Sequence, residues 1–325
     1  MKMAEVLVTT EVFPEALARL REAGHRVRAP SEGRLSRAEL LDQIATADAL
    51  VCLLSDRVDE ELFSAAPRLK VVANLGVGVD NIDLSAATRH GVVVTNTPDV
   101  LTETTADLAW ALLMAAARRI VEADSDLRAH GFPGWTFIPP HMGVDVWGRT
   151  LGVVGLGRIG SAVARRARGF EMRVLYHSRT RKPALEAALS ARWLPLDELL
   201  SESDFVVLCV PLTPETRHLI GPRELSLMKE EAILVNIARG PVVDEAALAL
   251  ALKEGRLRAA ALDVFEREPE VHPELIPLRN VVLTPHIGSA TLSTRRKMAE
   301  LAVESVISVL SGRRPENLVN PEAWR

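Results

Sequence analysis

Thr150-Leu-Gly-Val-Val-Gly155-Leu-Gly157-Arg-Ile-Gly160-Ser161 is the stretch whose reading decides the fold. A short apolar run, Leu151 to Val154, has the character of a buried strand and ends in glycine. A helical run follows from Ser161 to Arg168. A G-x-G-x-x-G turn that closes a strand and opens a helix is the setting of a dinucleotide pyrophosphate site. Gly155 permits the tight turn, Gly157 lets a phosphate approach the backbone, and Gly160 lets helix and strand pack closely. The phosphates then lie on the exposed amides at the positive end of the helix. The other reading of these glycines is a purely structural turn. The motif sits in mid-chain, so a large segment precedes it.

The chain has 325 residues, which predicts two domains, each able to bury a core. Its formal net charge is −4, with both signs mixed along the sequence. That gives no footprint for nucleic acid or for an anionic membrane surface. The opening Met1-Lys-Met-Ala-Glu-Val-Leu-Val8 is too short and too quickly polar for a signal peptide, and no apolar run reaches the length of a membrane span. Cys52 and Cys209 each lie in an apolar run and read as core thiols, and no spacing of Cys and His suggests a metal. A reduced, cytoplasmic protein is the expectation. A single glutamine, Gln43, amid many charged residues hints at a heat-adapted source.

Apolar runs alternate with helical patterns from the start. Glu5–Thr9, Ala49–Leu54, Lys70–Leu75 and Val92–Thr95 predict strands, with helices over 14–23 and 59–66. From Thr102 an alanine-rich apolar helix is predicted to run past Val121 and to link two domains. Residues 131–148 lose periodicity, gain Pro, Gly and Trp, and read as a long loop with a purpose. A second series of strands then covers 151–154, 173–176, 205–210, 232–237, 259–263 and 280–284. The expected fold is α/β: two doubly wound parallel-sheet domains, a dinucleotide-binding (Rossmann) domain at 101–288 inserted into a flavodoxin-like substrate domain made of 1–100 and 289–325.

Ligands of open parallel sheets bind beyond the carboxyl ends of the strands. After the second strand of the second series comes Tyr176-His-Ser-Arg-Thr-Arg-Lys182. An NAD site wants a carboxylate there, about 20 residues past the glycines. His177 stands in that place, followed by hydroxyls and cations suited to a 2′-phosphate. This predicts NADP(H) in preference to NAD(H), the other reading being a solvated basic loop. Later strands end in Asn236-Ile-Ala-Arg239-Gly-Pro, Leu262-Asp263-Val-Phe-Glu-Arg-Glu268-Pro and Thr284-Pro-His286-Ile-Gly288. Singly, these read as a surface arginine, a solvated charge and a capping or core histidine. Together, an anion-binding Arg, a carboxylate and an imidazole are the set needed for hydride transfer to a carboxylated ketone. In the first domain, Asn74-Leu-Gly-Val-Gly78-Val-Asp-Asn81 reads either as an anion nest or as a strand-to-helix turn.

The chain resembles the D-isomer-specific 2-hydroxyacid dehydrogenases along essentially its whole length. The resemblance rests on Leu53-Leu-Ser-Asp56, Leu75-Gly-Val-Gly-Val-Asp80, Asn96-Thr-Pro-Asp-Val-Leu-Thr102, Gly155-Leu-Gly-Arg-Ile-Gly160, Asn236-Ile-Ala-Arg-Gly240, Leu262-Asp-Val-Phe-Glu266 and Pro285-His-Ile-Gly-Ser-Ala290. Within the family it looks most like the glyoxylate/hydroxypyruvate reductases, through Ser178-Arg-Thr180 and Pro98-Asp-Val-Leu-Thr102. The resemblance implies His286 as general acid/base, Glu268 as its partner, and Arg239 as the group that orients the substrate carboxylate. It implies cofactor contacts from Leu156, Gly157, Arg158, Ile159 and Gly160 at the pyrophosphate, and from Ser178, Arg179 and Thr180 at the adenosine ribose. Thr105, Val210, Pro211, Ile237, Ala238, Asp263 and Gly288 are implied around the rest of the cofactor, with Asp263 at the carboxamide. Leu53, Val77 and Gly78 join Arg239 and His286 on the substrate, in the cleft between the domains. No metal is implied, and members are usually homodimers. Mammalian-type reductases carry a tryptophan in the loop at 131–148 that reaches the neighbouring subunit. Here the loop departs from that pattern and reads Phe137-Ile-Pro-Pro-His-Met-Gly143, which puts that contact in doubt.

The expected reaction is NADPH-dependent reduction of glyoxylate or hydroxypyruvate to glycolate or D-glycerate. Arg239 would compensate the developing charge, His286 would protonate the new hydroxyl, and Glu268 would favour the charged imidazole. The alternatives are an NAD-linked phosphoglycerate or D-lactate dehydrogenase, and a non-enzymatic NAD(P)-sensing corepressor on the same fold. The end of the chain at Arg325 leaves no room for the regulatory domain that phosphoglycerate dehydrogenases often carry.

Overall fold

A computed structural model describes residues 3–324. The chain divides into two compact units, one running up to Leu101 and resuming at Ala290, the other spanning Thr102–Ser289.

The first unit is a five-stranded parallel sheet of β1 (Glu5–Val8), β2 (Arg26–Arg28), β3 (Ala49–Cys52), β4 (Val71–Asn74) and β5 (Val93–Thr95). Its order, β2-β1-β3-β4-β5, is flavodoxin-like. Alternate residues of each strand serve opposite faces. Val6 and Val8 pack with Leu20, Val303 and Val306 of helices Pro14–Glu22 and Leu292–Leu310. Leu7 packs on the other face with Leu40, Ile44 and Phe63. The tail closes the β5 side. Asn320 accepts from the Val94 amide at 2.7 Å and donates to the Val92 carbonyl at 2.9 Å, and Leu318 makes an antiparallel bridge with Thr95.

The second unit is a seven-stranded, wholly parallel sheet: β6 (Thr150–Val154), β7 (Arg173–His177), β8 (Ala191–Trp193), β9 (Phe205–Leu208), β10 (Ile233–Asn236), β11 (Ala259–Leu262) and β12 (Val281–Leu283). The order β12-β11-β10-β9-β6-β7-β8 is the doubly wound dinucleotide-binding order with one strand added. The direction of winding reverses between β6 and β9, and the glycine turn follows β6 directly.

Two strands escaped the sequence reading, β2 and β8. Each is three residues long at a sheet edge, and neither contains an apolar run. The long helix expected past Val121 is also broken. It covers Thr102–Ala117, buries Trp110 and Leu113 within the second unit, and stops before Arg119. Arg119 has φ 54°, in the left-handed region, and a new helix covers Ile120–His130. That conformation is offset by its guanidinium, which bonds Glu122 at 2.8 Å and the Pro140 carbonyl at 2.8 Å. The loop at 131–148 returns to the break, where the Val144 amide caps the Ala117 carbonyl at 2.9 Å. Among the described residues no helix is long and apolar enough to cross a membrane, and no group of His, Cys, Asp and Glu is arranged to hold a metal ion. Cys52 is buried and Cys209 partly so; both are free, and burial pushes both thiols up, that of Cys209 to about 12.

Candidate active site

The three glycines have distinct environments. Gly155 has φ 99°, and a Cβ there would stand 2.8 Å from the Cys209 backbone beyond β9. A Cβ on Gly160 would stand 2.0 Å from the Gly155 carbonyl oxygen, so helix Arg158–Arg166 can approach β6 only as glycine. At Gly157 a Cβ would meet nothing within 4 Å. The space it would fill is open for a phosphate, beside the first amides of the helix, those of Arg158 and Ile159. The turn therefore fits a dinucleotide pyrophosphate.

At the carboxyl end of β7, His177 bonds the Leu194 carbonyl through Nδ1 at 3.0 Å. Ser178 donates to the Thr180 carbonyl at 2.8 Å, while Arg179 and Thr180 are exposed. Glu186, on helix Pro183–Leu189 just after the turn, is already committed. Arg181 grips it through two bonds of 2.8 Å and Tyr176 donates to it at 2.6 Å, which together hold its pKa down to about 2. Glu186 is thus not available to ribose hydroxyls.

Arg239, Glu268 and His286 all belong to the second unit. Arg239 follows β10 and is half-buried; the Asn236 side chain bridges the turn, donating to the Arg239 carbonyl at 2.9 Å and accepting from the Ala238 amide at 3.0 Å. Gly240 after it admits no side chain, because a Cβ would stand 1.8 Å from the Phe265 carbonyl carbon. His286 Nδ1 lies 2.9 Å from Glu268 Oε2, and the other oxygen of Glu268 accepts from the Phe265 amide at 3.1 Å. Burial would raise the Glu268 carboxyl. The bond and charge of His286, the Phe265 amide and the nearby Arg239 outweigh that and hold it below the ordinary range.

His286 sits at φ 53°, unusual for a non-glycine residue, and Asp263 fixes it there. Asp263 is only 2 % exposed. Its carboxylate accepts from the Thr284 hydroxyl at 2.7 Å and from the Ile287 and Gly288 amides at 2.8 Å each. Its backbone carbonyl takes the His286 amide at 2.8 Å. Burial still raises its carboxyl above the ordinary range. Thr105 and Gly288 border this carboxylate, Val210 and Pro211 follow β9, and Ile237 and Ala238 follow β10. Apart from Thr105, which lies on helix Thr102–Ala117, these residues stand at carboxyl ends of strands of one sheet.

In the first unit Val77 and Gly78 follow β4. The Gly76 carbonyl accepts from the Thr97 amide at 2.9 Å, and the Val77 carbonyl from the Asn96 side chain at 2.8 Å. A trans peptide directs its N–H opposite to its carbonyl. The successive amides of Val77 and Gly78 are thus both turned away from the 96–97 segment. Asn74 secures the far side by donating to the Gly78 carbonyl at 2.7 Å, and Asn81 ties the loop to the Leu53 carbonyl at 3.0 Å. Asn74 and Asn96 were not read from sequence as site residues; two asparagines at strand ends beside a glycine-rich turn were the available signal.

Comparison with known proteins gives these features a context. Residues 110–288 match the family described as "D-isomer specific 2-hydroxyacid dehydrogenase, NAD binding domain". A glyoxylate reductase of Thermococcus onnurineus is 55% identical over 321 residues, spanning 98% of this chain and 96% of the relative. Among solved structures, the TT0316 protein of Thermus thermophilus superposes with a TM-score of 0.91 at 49% identity, over 97% of this chain and 99% of that one. An NADPH-dependent glyoxylate/hydroxypyruvate reductase of Sinorhizobium meliloti, in complex with NADP and malonate, gives 0.88 at 34% identity, over 100% and 99%. With a dinucleotide turn in the doubly wound sheet and relatives that match end to end, the chain belongs to the D-isomer-specific 2-hydroxyacid dehydrogenases, oxidoreductases that use a nicotinamide dinucleotide.

Proposed function

We propose that the chain reduces glyoxylate, and hydroxypyruvate with it, to glycolate and D-glycerate, with NADPH preferred over NADH. The observation that carries the reading is the His286–Glu268 pair at 2.9 Å with Arg239 close enough to act on the Glu268 carboxyl. Reduced nicotinamide, when bound, supplies the hydride. Arg239 holds the substrate carboxylate in its guanidinium fork and stabilises charge growing on the carbonyl oxygen. With Nδ1 turned to Glu268, the Nε2–H of charged His286 gives its proton to the forming alkoxide. Glu268 holds the ring in that orientation through Nδ1. In the first unit we assign the Val77 and Gly78 amides to carboxylate capture and Leu53 to the substrate. We assign Leu156 to Gly160 to the pyrophosphate and Ser178, Arg179 and Thr180 to the 2′-phosphate. Thr105, Val210, Pro211, Ile237, Ala238, Asp263 and Gly288 are assigned to the rest of the cofactor. The commitment of Glu186 to Arg181 and Tyr176 supports the NADPH preference, as does the NADP held by the Sinorhizobium meliloti relative.

Initial rates on glyoxylate, hydroxypyruvate, pyruvate and 3-phosphohydroxypyruvate with both reduced cofactors test the reading. The expected result is the highest kcat/KM on the first two, with NADPH favoured about tenfold or more. Preference for NADH, or no turnover of glyoxylate, sinks it.

We also assign a homodimer. Ile120, Val121, Leu127, Phe132, Trp135, Phe137, Ile138, Met142 and Trp147 are all exposed within one short span, Trp135 and Phe137 at 80% and 83%. Monomers rarely leave such a concentration of large apolar side chains in water. Light scattering should give twice the chain mass, and the Trp135→Asp/Phe137→Asp variant should give a monomer. A monomeric parent protein rejects the assignment.

A further inference from the structure

We infer that Lys182 is a specificity-determining residue for a 2′-phosphorylated cofactor, its ammonium held over the glycine turn where the adenosine ribose binds. The inference rests on the NADPH reading and deepens it.

The turn after β7 carries three cations, Arg179, Arg181 and Lys182, which sequence alone cannot tell apart. Their surroundings differ. Arg181 is spent on Glu186 through both of its bonds, so its charge is neutralised within the turn. Arg179 is exposed, with Glu215 in range of its charge. Lys182 is half-buried, and its Nζ donates to the Leu156 carbonyl at 2.9 Å. Leu156 is the residue between the first two glycines, where the glycine turn passes beside the end of β7. In a doubly wound sheet this junction is where the ribose hydroxyls of the cofactor lie.

The turn is built to hold Lys182 there. Its own amide donates to the Tyr176 hydroxyl at 2.8 Å, and that hydroxyl in turn donates to Glu186. Tyr176 is fully buried, so the chain Tyr176–Glu186–Arg181 works as an internal brace. Trp193 adds a bond from its indole N–H to the Ser178 carbonyl at 3.1 Å. The brace silences one carboxylate and one guanidinium together and leaves the ammonium facing the ribose position. A phosphate on the 2′ oxygen would take that ammonium in a charge-assisted bond, a stronger acceptor than the neutral Leu156 carbonyl. A free 2′ hydroxyl gains far less from it.

The test is equilibrium binding, read by cofactor fluorescence and, for adenosine 2′,5′-bisphosphate against AMP, by calorimetry. Lys182→Met is expected to weaken NADPH and adenosine 2′,5′-bisphosphate about tenfold or more, and to change NADH and AMP by no more than about twofold. The Arg181→Met/Glu186→Gln variant, which removes the neutralised pair and keeps an acceptor for Tyr176, should leave the NADPH-to-NADH affinity ratio within about threefold of the parent. An unaltered thermal melt of Lys182→Met excludes misfolding as the cause. The inference is overturned if the parent prefers NADPH and Lys182→Met keeps that ratio, or loses both cofactors alike. If the parent itself shows no preference for NADPH, the cofactor reading falls first, and the inference falls with it.

Discussion

His286→Asn is expected to lower kcat for 2-keto acid reduction by about 10²–10⁴-fold while leaving NADPH affinity within about twofold of the parent. Asparagine is the informative replacement. His286 holds a left-handed backbone at φ 53°, which Asn tolerates better than other non-glycine residues. The Asp263 bonds to the Ile287 and Gly288 amides do not involve the imidazole, so the turn should survive. Loss of rate then reports the missing proton donor rather than a collapsed loop. Rates near the parent's would remove His286 from the mechanism. Glu268→Gln supplies the companion measurement. His286, the Phe265 amide and Arg239 together hold the Glu268 carboxyl below its ordinary range, so the imidazole faces a carboxylate. The amide side chain of this variant keeps an acceptor for the Phe265 N–H but not the charge beside His286, so kcat should fall by about tenfold or more. A kcat near the parent's assigns the pair a structural role only.

The second large effect is expected at the glycine turn, where two substitutions that look alike should fail differently. Gly160→Ala puts a methyl 2.0 Å from the Gly155 carbonyl oxygen, a backbone atom that cannot swing aside. Helix Arg158–Arg166 must shift off β6, and the expected cost is about 3 kcal/mol or more of stability. Gly157→Ala meets nothing within 4 Å and has φ −82°, so its stability should stay within about 1 kcal/mol of the parent. What it fills is the approach of the pyrophosphate, and NADPH affinity should drop by about tenfold or more. Urea denaturation and cofactor titration of both variants separate the two effects. Equal stabilities would show that the helix accommodates a side chain at Gly160.

Much of the architecture was legible because buried parallel strands are written as continuous apolar runs. Ala49-Leu-Val-Cys52 and Phe205-Val-Val-Leu208 are of this kind. Arg26-Val-Arg28 and Ala191-Arg-Trp193 were missed for the converse reason. An edge strand of three residues is held by backbone pairing, with no apolar run to announce it. The break at Arg119 was invisible too, since its partners Glu122 and Pro140 act through side-chain geometry and a returning loop. For the site, the residue types after each strand marked where chemistry could lie. The left-handed turn at His286 and its clamp by Asp263 could not be read from order, because they arise where two neighbouring strand ends meet. Nor could the commitment of Arg181 to Glu186, which only a folded turn decides.

The tail that closes β5 sets an order of events during synthesis. Asn320 and Leu318 pair with Val92, Val94 and Thr95, more than two hundred positions earlier. Helix Leu292–Leu310 supplies one face of the core against β3 and β4. A ribosome that has released residues 3–101 has therefore released a sheet with one face covered only in part, by helix Pro14–Glu22, and one edge unpaired. The contiguous unit Thr102–Ser289 has all of its strands as soon as it emerges, so the segment made first is the one that must wait. For the whole time it takes to translate the second unit, the face of β3 and β4 that awaits helix Leu292–Leu310 is the part of this chain that a chaperone would have to hold.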